Sequence, residues 1–447
     1  MKLRLLITVF CLPFIKAYSQ GEVAQDALPY MGVYNSFSQP AYLVYSPYKF
    51  DANIIGAKAS LFNKSFMPGS STGIEGVLSN GGKIGDIFAL REQSVLVNAN
   101  VVLPSFMYAI NDKNAISISS RVRAIGYAFS TDFNVLKFFM GGLPDGNINS
   151  EGDVIAGFAL AWSEFNLGYS RVIYERNRHS FSAGLNAKLL LGAASVYFGV
   201  DNLTFETRGS VVENLEGDLS FYYNDQVDEL AGGKDVKIFS NPGLGVDVGI
   251  AYKLENKDPS KGLSHKLKVG VSMLDFGAVK FSSSENSLQG SVDGANQEIK
   301  DYAIVESPEE LSKQITDDFN VTNDVEPTYT VNLPMKITLN IDYNIWYNFY
   351  LGTNVSMSSI NFVKQSNLKA RNDSYAGTLR YETKYIGLSI PYSYNQILKS
   401  QLGVSARLGP LVFGSSNIFT TLIKDTDFGF LNLFVAGRFT ILKKKNK

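Results

Sequence analysis

The stretch Lys336-Ile337-Thr338-Leu339-Asn340-Ile341-Asp342-Tyr343 sets an apolar side chain at every second position against a polar one. An extended chain sends successive side chains to opposite faces. One face of this strand therefore suits hydrocarbon or a core, and the other suits water. The pattern recurs along the chain. Ile116, Ile118, Val122 and Ala124 oppose Ser117, Ser119, Arg121 and Arg123. Ala183, Leu185, Ala187 and Leu189 oppose Gly184, Asn186 and Lys188. The same holds for 244–251, 266–273, 401–408 and 431–439. Each segment approximates the roughly 9–11 residues of a tilted membrane strand.

The first residues read as an export signal: Lys2 and Arg4, then an apolar stretch from Leu5 to Ile15, then Ala17-Tyr18-Ser19. Cleavage is expected before Gln20. The apolar stretch is shorter than the roughly 20 residues of a membrane helix. It holds the single cysteine, Cys11, so no disulfide or thiol chemistry is expected in the mature chain. An exported chain without a long apolar run is either a soluble exported β-protein or a closed barrel. Composition favours the barrel: aromatic residues make up 13% and mean hydropathy is −0.01, as when apolar and polar faces cancel. Formal net charge is −1, which excludes a global field for nucleic acid.

Connections alternate in length. Asn111-Asp112-Lys113-Asn114, Glu175-Arg176-Asn177-Arg178 and 343–347 read as tight turns. Long polar stretches fall at 67–94, 131–157, 209–241, 283–327 and 364–375. Short turns on one side and long loops on the other mark an outer-membrane barrel. About thirteen strands are legible directly. Bacterial barrels have even numbers, and 195–207 with 217–223 could be a hairpin above the membrane. The expected fold is an all-β transmembrane antiparallel barrel of about 14 strands. Its expected parts are a signal (1–19), an N-terminal segment (20–49) as a candidate lumen plug, the barrel (50–442) and a basic tail (443–447). Short helices are expected from Ser307-Pro308-Glu309-Glu310, with its capping-box spacing, and over 131–140.

Two stretches carry a family likeness. Tyr34-Asn35-Ser36-Phe37-Ser38-Gln39-Pro40-Ala41 resembles the Asn-Pro-Ala segment near the start of FadL-like barrels and of many Bacteroidota outer-membrane proteins, with Gln39 where those usually have Asn. Gly387-Leu388-Ser389-Ile390-Pro391, Gly403 and Leu408-Gly409-Pro410-Leu411-Val412-Phe413-Gly414 resemble the closing strands of uncharacterised Bacteroidota barrels, themselves similar to FadL, PorV and PorP/SprF proteins. FadL likeness implies a plugged barrel and uptake of hydrophobic molecules. PorP/SprF likeness implies a partner role in type IX secretion or gliding machinery.

If the apolar set faces lipid, the lumen receives Arg121, Arg123, Lys188, Lys266, Lys268, Lys336, Arg407 and Arg438, with Asp247 and Asp342 as the clearest acids. Such charges either set ion selectivity or pair with one another in a closed lumen. Tyr34, Phe37, Gln39, Pro40 and Tyr42 are the candidate plug residues. The aromatic run Tyr343, Trp346, Tyr347, Phe349 and Tyr350 suits a membrane–water interface. Asp145 to Asp153 has alternate oxygen donors but Ser150 where a calcium loop needs glycine and Ala156 where it needs an acid, and a plain polar loop is preferred. The acids between Glu298 and Glu326 read as a solvated loop. Only His179 and His265 could serve nucleophilic catalysis, no phosphate loop is present, and no enzyme activity or cofactor is expected. The expected partners are outer-membrane lipid and either a hydrophobic ligand or secretion-machinery proteins. The protein should fractionate with detergent-extracted outer membrane and show heat-modifiable gel mobility. Recovery in the soluble fraction would exclude the barrel.

Overall fold

The computed structural model describes residues 29–63, 94–130, 147, 149–208, 211–231, 240–258, 265–294, 297–298, 307–321, 324–361, 369–371, 373–395, 399–423 and 430–443. The expected signal, the helix expected over 131–140, residues 145, 146 and 148 of the oxygen-rich loop and tail residues 444–447 lie outside them.

The fold is a closed antiparallel barrel of 14 strands. The staves are β1 (Tyr48–Asn63), β2 (Ser94–Val102 and Ser105–Asn111), β3 (Asn114–Ser130), β4 (Asn149–Arg176), β5 (His179–Arg208), β6 (Asn241–Glu255) and β7 (His265–Ser282). They continue as β8 (Thr328–Asn332 and Met335–Trp346), β9 (Phe349–Asn361), β10 (Ser374–Glu382), β11 (Ile386–Asn395), β12 (Lys399–Leu402 and Val404–Leu408), β13 (Leu411–Ser415) and β14 (Phe430–Leu442). Each pairs with the next, and β1 pairs with β14 from Tyr48↔Leu442 to Phe62↔Phe430, which closes the ring and leaves no free edge. The first stave starts two residues before the expected boundary at 50.

Tight turns and both ends of the barrel chain share one end. Asn177 (φ 55°) and Tyr347 (φ 43°) take the left-handed backbone that two-residue turns require. The turn expected over 343–347 is instead Tyr347-Asn348, because Asn344 stays in the strand and its amide donates to the carbonyls of Tyr347 (2.6 Å) and Phe349 (3.2 Å).

The alternation sorts exposure. On β8, Ile337 is 48% exposed whereas Thr338, Asn340 and Asp342 are buried. Leu388 and Ile390 on β11 and Leu433, Val435 and Phe439 on β14 are exposed in the same way. An apolar surface that encircles a closed barrel is built for hydrocarbon. Tyr350 departs from the expected interfacial aromatic set. It lies on the opposite face of β9 from Phe349 and is fully buried beside His265 (centroids 5.4 Å).

Two staves exceed the expected length. β4 has 28 residues and β5 has 30, and both run past the ring at the long-loop end. There Val196–Arg208 pairs with a strand Val211–Tyr223, which pairs with Leu288–Gly294 and Gln297–Glu298. Helix α1 (Pro308–Asp318), capped by Ser307 Oγ accepting from Glu310 N–H, packs Ile315 on this sheet with Leu203, Phe205, Phe221 and Phe319. The hairpin expected from 195–207 with 217–223 and the helix expected from Ser307 thus lie together, within stretches otherwise read as long loops, in an extension with its own apolar core.

Residues 29–45 touch staves all around the ring, which places them inside it. Helical turns Pro29–Tyr34, Asn35–Ser38 and Pro40–Tyr45 form this segment. Gly184 lets it approach the β5 wall, since a Cβ there would stand 2.3 Å from the Pro40 carbonyl carbon. Substituting Gly184→Val should expel the segment while the barrel still forms. Limited proteolysis would show new cleavage within 29–45 with heat-modifiable mobility retained, and an uncleaved segment would contradict the placement.

Candidate functional site

The interior is built from the polar face of the staves and the N-terminal segment. Tyr34, Phe37, Gln39, Pro40 and Tyr42 sit there with little or no exposure, except that Tyr34 is half-buried. The segment is short and cannot pair its backbone within one long helix, so wall side chains complete it. Asn186 Nδ2 donates to the Ser36 carbonyl (2.6 Å), Ser272 Oγ to Ser38 (2.9 Å), Ser182 Oγ to Ala41 (2.8 Å) and Lys443 Nζ to Val44 (3.2 Å). Gln39 accepts from Ala41 N–H and donates to the Ile250 carbonyl at 3.5 Å.

The β1–β14 seam holds the segment's start. Arg438 Nη2 and Nε reach Asp51 Oδ1 at 2.7 and 3.1 Å, and Arg438 Nη1 donates to the Tyr30 carbonyl at 2.6 Å. Asp51 Oδ2 accepts the Val33 N–H at 2.6 Å. Gly32 (φ +53°) makes this approach possible, because a Cβ there would overlap Asp51.

Two further charge clusters fill the interior. In the first, Arg121 pairs with Glu164, Arg123 Nη1 lies 2.9 Å from Asp275, and Lys188 Nζ lies 2.6 Å from Asp247 and 2.7 Å from Asp275. In the second, Arg380 Nη2 bridges both oxygens of Asp342 at 2.9 Å. His265 Nε2 is 2.8 Å from Asp342, Lys268 is 3.8 Å away, and Arg407 is 2.7 Å from Glu382. Buried charges are tolerable only with such partners. The cations also meet the segment's aromatic rings. Arg121 lies over Phe37, Lys268 over Tyr42 and Arg407 over Tyr30, each at 4.5 Å. This is cation–π contact in a desolvated setting.

Sequence reasoning missed Asp51, Glu164, Asp275, Arg380 and Glu382. Glu164 shares a face with Trp162 and Asn166, and Arg380 with Glu382, so the two-residue period would have found them. Asp275 sits at a break in the β6–β7 register with φ 56°, which shifts its parity. Lys336 is half-buried near Asp275. Lys266 is turned away from the clusters. A second register break puts His265 inward in its place, and Lys266 Nζ lies 4.5 Å over the Tyr343 ring. His179, the other histidine, is exposed and bonds to Tyr252 OH at 2.7 Å. Among the described residues no group of three or more His, Cys, Asp or Glu side chains is placed to hold a metal ion.

A cavity of about 40 Å³ lies between the segment and the wall. Met31, Tyr34 and Phe37 bound it on one side, and Val102, Val412, Phe434 and Ala436 on the other, and Lys58, Asn100 and Arg121 also line it.

A family model described as a family of unknown function (DUF5723) matches residues 68–416. No curated protein matches. Among solved structures, a monoaromatic hydrocarbon channel, the TodX deltaS2S3 mutant, is 12% identical with TM-score 0.44, covering 92% of this chain and 95% of its own. The P. putida toluene transporter TodX is 9% identical with TM-score 0.43, covering 96% and 100%. A Pseudomonas aeruginosa FadL homologue is 11% identical with TM-score 0.27, covering 95% and 98%. At such scores the case for function rests on the chain's own geometry.

Removing one side of the seam pair should be costly. Asp51→Ala leaves Arg438 buried without its carboxylate, and a loss of about 3–5 kcal/mol is expected in denaturant unfolding. The double variant Asp51→Ala/Arg438→Met should recover most of it. Equal losses in both would show that the cost comes from the lost Asp51 contacts, such as the Val33 N–H, and not from a stranded Arg438 charge.

Proposed function

The chain belongs to DUF5723, a family of unknown function, and from the geometry of its interior we propose that it is an outer-membrane barrel that passes small hydrophobic molecules past an N-terminal plug. The observation that carries this reading is the cavity between Met31, Tyr34 and Phe37 of the plug and Val102, Val412, Phe434 and Ala436 of the wall. Its lining sets these apolar side chains beside a few polar ones, Lys58, Asn100 and Arg121, the mixture that small-molecule sites use to bury and orient a solute. Its volume takes only a few water-sized groups, so a larger solute passes when residues 29–45 shift. The paired charges serve as a latch for that plug, not as an ion filter, because each large interior cation is offset by a carboxylate or a ring.

The exposed apolar girdle supports placement in the outer membrane. The short-turn end, with the plug entry, is then periplasmic, and the long-loop extension faces outward. An apolar solute would meet the extension first. Beneath it, Trp162, Tyr197, Tyr222, Phe281 and Tyr329 form a buried cluster.

A second reading, a non-transporting partner of type IX secretion or gliding machinery, is favoured by the extension alone. A separately cored module on the long-loop end is a larger investment than solubility requires.

Deleting 29–45 separates the two. Passage predicts faster uptake of toluene by cells carrying the deletion than by cells with the full chain, together with a large steady conductance in planar bilayers. Unchanged uptake would count against passage. Cross-linking in native membranes that captured stoichiometric secretion-machinery proteins, with uptake unchanged, would favour the second reading.

A further inference from the structure

A row of hydroxyl groups crosses the inner wall in register. Ser272 on β7 is paired with Thr338 on β8, Thr338 with Ser356 on β9, and Ser356 with Ser374 on β10. The row's first half is occupied. Ser272 Oγ donates to the plug carbonyl of Ser38 at 2.9 Å, and Thr338 Oγ1, 2.6 Å away, therefore donates to Ser272. Asn340 Nδ2 completes Thr338 at 3.3 Å. The second half is different. Ser356 is 5% exposed and Ser374 is fully buried, yet neither hydroxyl has a hydrogen-bond partner. Two adjacent buried hydroxyls without partners are costly, since each forfeits about 1–3 kcal/mol of hydration.

We propose that Ser356 and Ser374 form a binding step for the carbonyl or hydroxyl oxygen of an uncharged solute, which rests on the passage reading and narrows its substrate to apolar molecules carrying one neutral polar group. The row already shows this chemistry, because Ser272 holds a carbonyl oxygen two staves away. Asp373, the residue before Ser374, brings a carboxylate and not a cation to this part of the wall. Asp373 is buried next to Ser374, with its carboxylate accepting the Ser358 N–H at 3.2 Å. The nearest guanidinium on the same face of β10, Arg380, is committed to Asp342. Hydroxyls of this kind discriminate strongly between a solute with the matching group and one without it.

The test uses the full chain in lipid nanodiscs with benzyl alcohol and toluene as matched probes. Saturation transfer from protein to each probe is compared with empty nanodiscs. The variant S356A/S374A should lose about fivefold of its benzyl alcohol signal, the worth of one neutral hydrogen bond, and keep its toluene signal. S356T/S374T, which retains both hydroxyls, should restore it, and heat-modifiable mobility confirms that each variant folds. Equal loss for both probes, or loss for neither, would overturn the hydroxyl step and leave passage standing. No signal from either probe above empty nanodiscs would overturn both.

Discussion

The Asp51 carboxylate is the contact on which most of the interior depends. One oxygen takes two bonds from Arg438 across the seam between the first and last staves. The other holds the Val33 amide of the segment inside. Ring closure and occupation of the lumen therefore share one carboxylate. Such a group is stable in a low-dielectric interior only when both oxygens are bonded, and here the seam supplies one partner and the N-terminal segment the other.

The rest of the lumen follows the same logic. Charges brought inside by a two-residue period need partners, and the wall provides them both from adjacent staves, β3 with β4, β5 with β6 and β7 with β8, and from farther ones, β3 and β5 with β7 and β8 with β10. Rings on the segment then cover the cations that the carboxylates leave partly open. The result is an interior that is packed, with its charges paired, and a small gap beside the segment.

The alternation made much of this legible. It placed Thr338, Asn340 and Asp342 on one face and Ile337 and Leu339 on the other, and the structure is a closed barrel of 14 staves. It failed where the period itself fails. At the register breaks beside Asp275 and Lys266 one residue is inserted, so parity reverses and the wrong side chain is assigned to the inside. It also faded above Leu189. There the interior wall turns apolar, with Ile125, Leu160 and Leu190 buried in one cluster, so polar residues no longer mark the inner face. That is why β4 and β5 run farther than the pattern marks, although the hairpin of their extension, 195–207 with 217–223, was legible.

The seam contact also constrains the order of assembly. Asp51 and Arg438 are 387 residues apart, and Tyr30 and Val33 join the same knot. The segment 29–45 therefore cannot complete its bonds until the last stave is in place. Loop closure of that span is entropically expensive and contacts of this separation form late. An assembling chain must keep this segment loose, outside the ring or within an open sheet, while thirteen staves accumulate. The final strand then closes the wall and fastens the contents in one event, so a chain truncated before β14 would lose both at once.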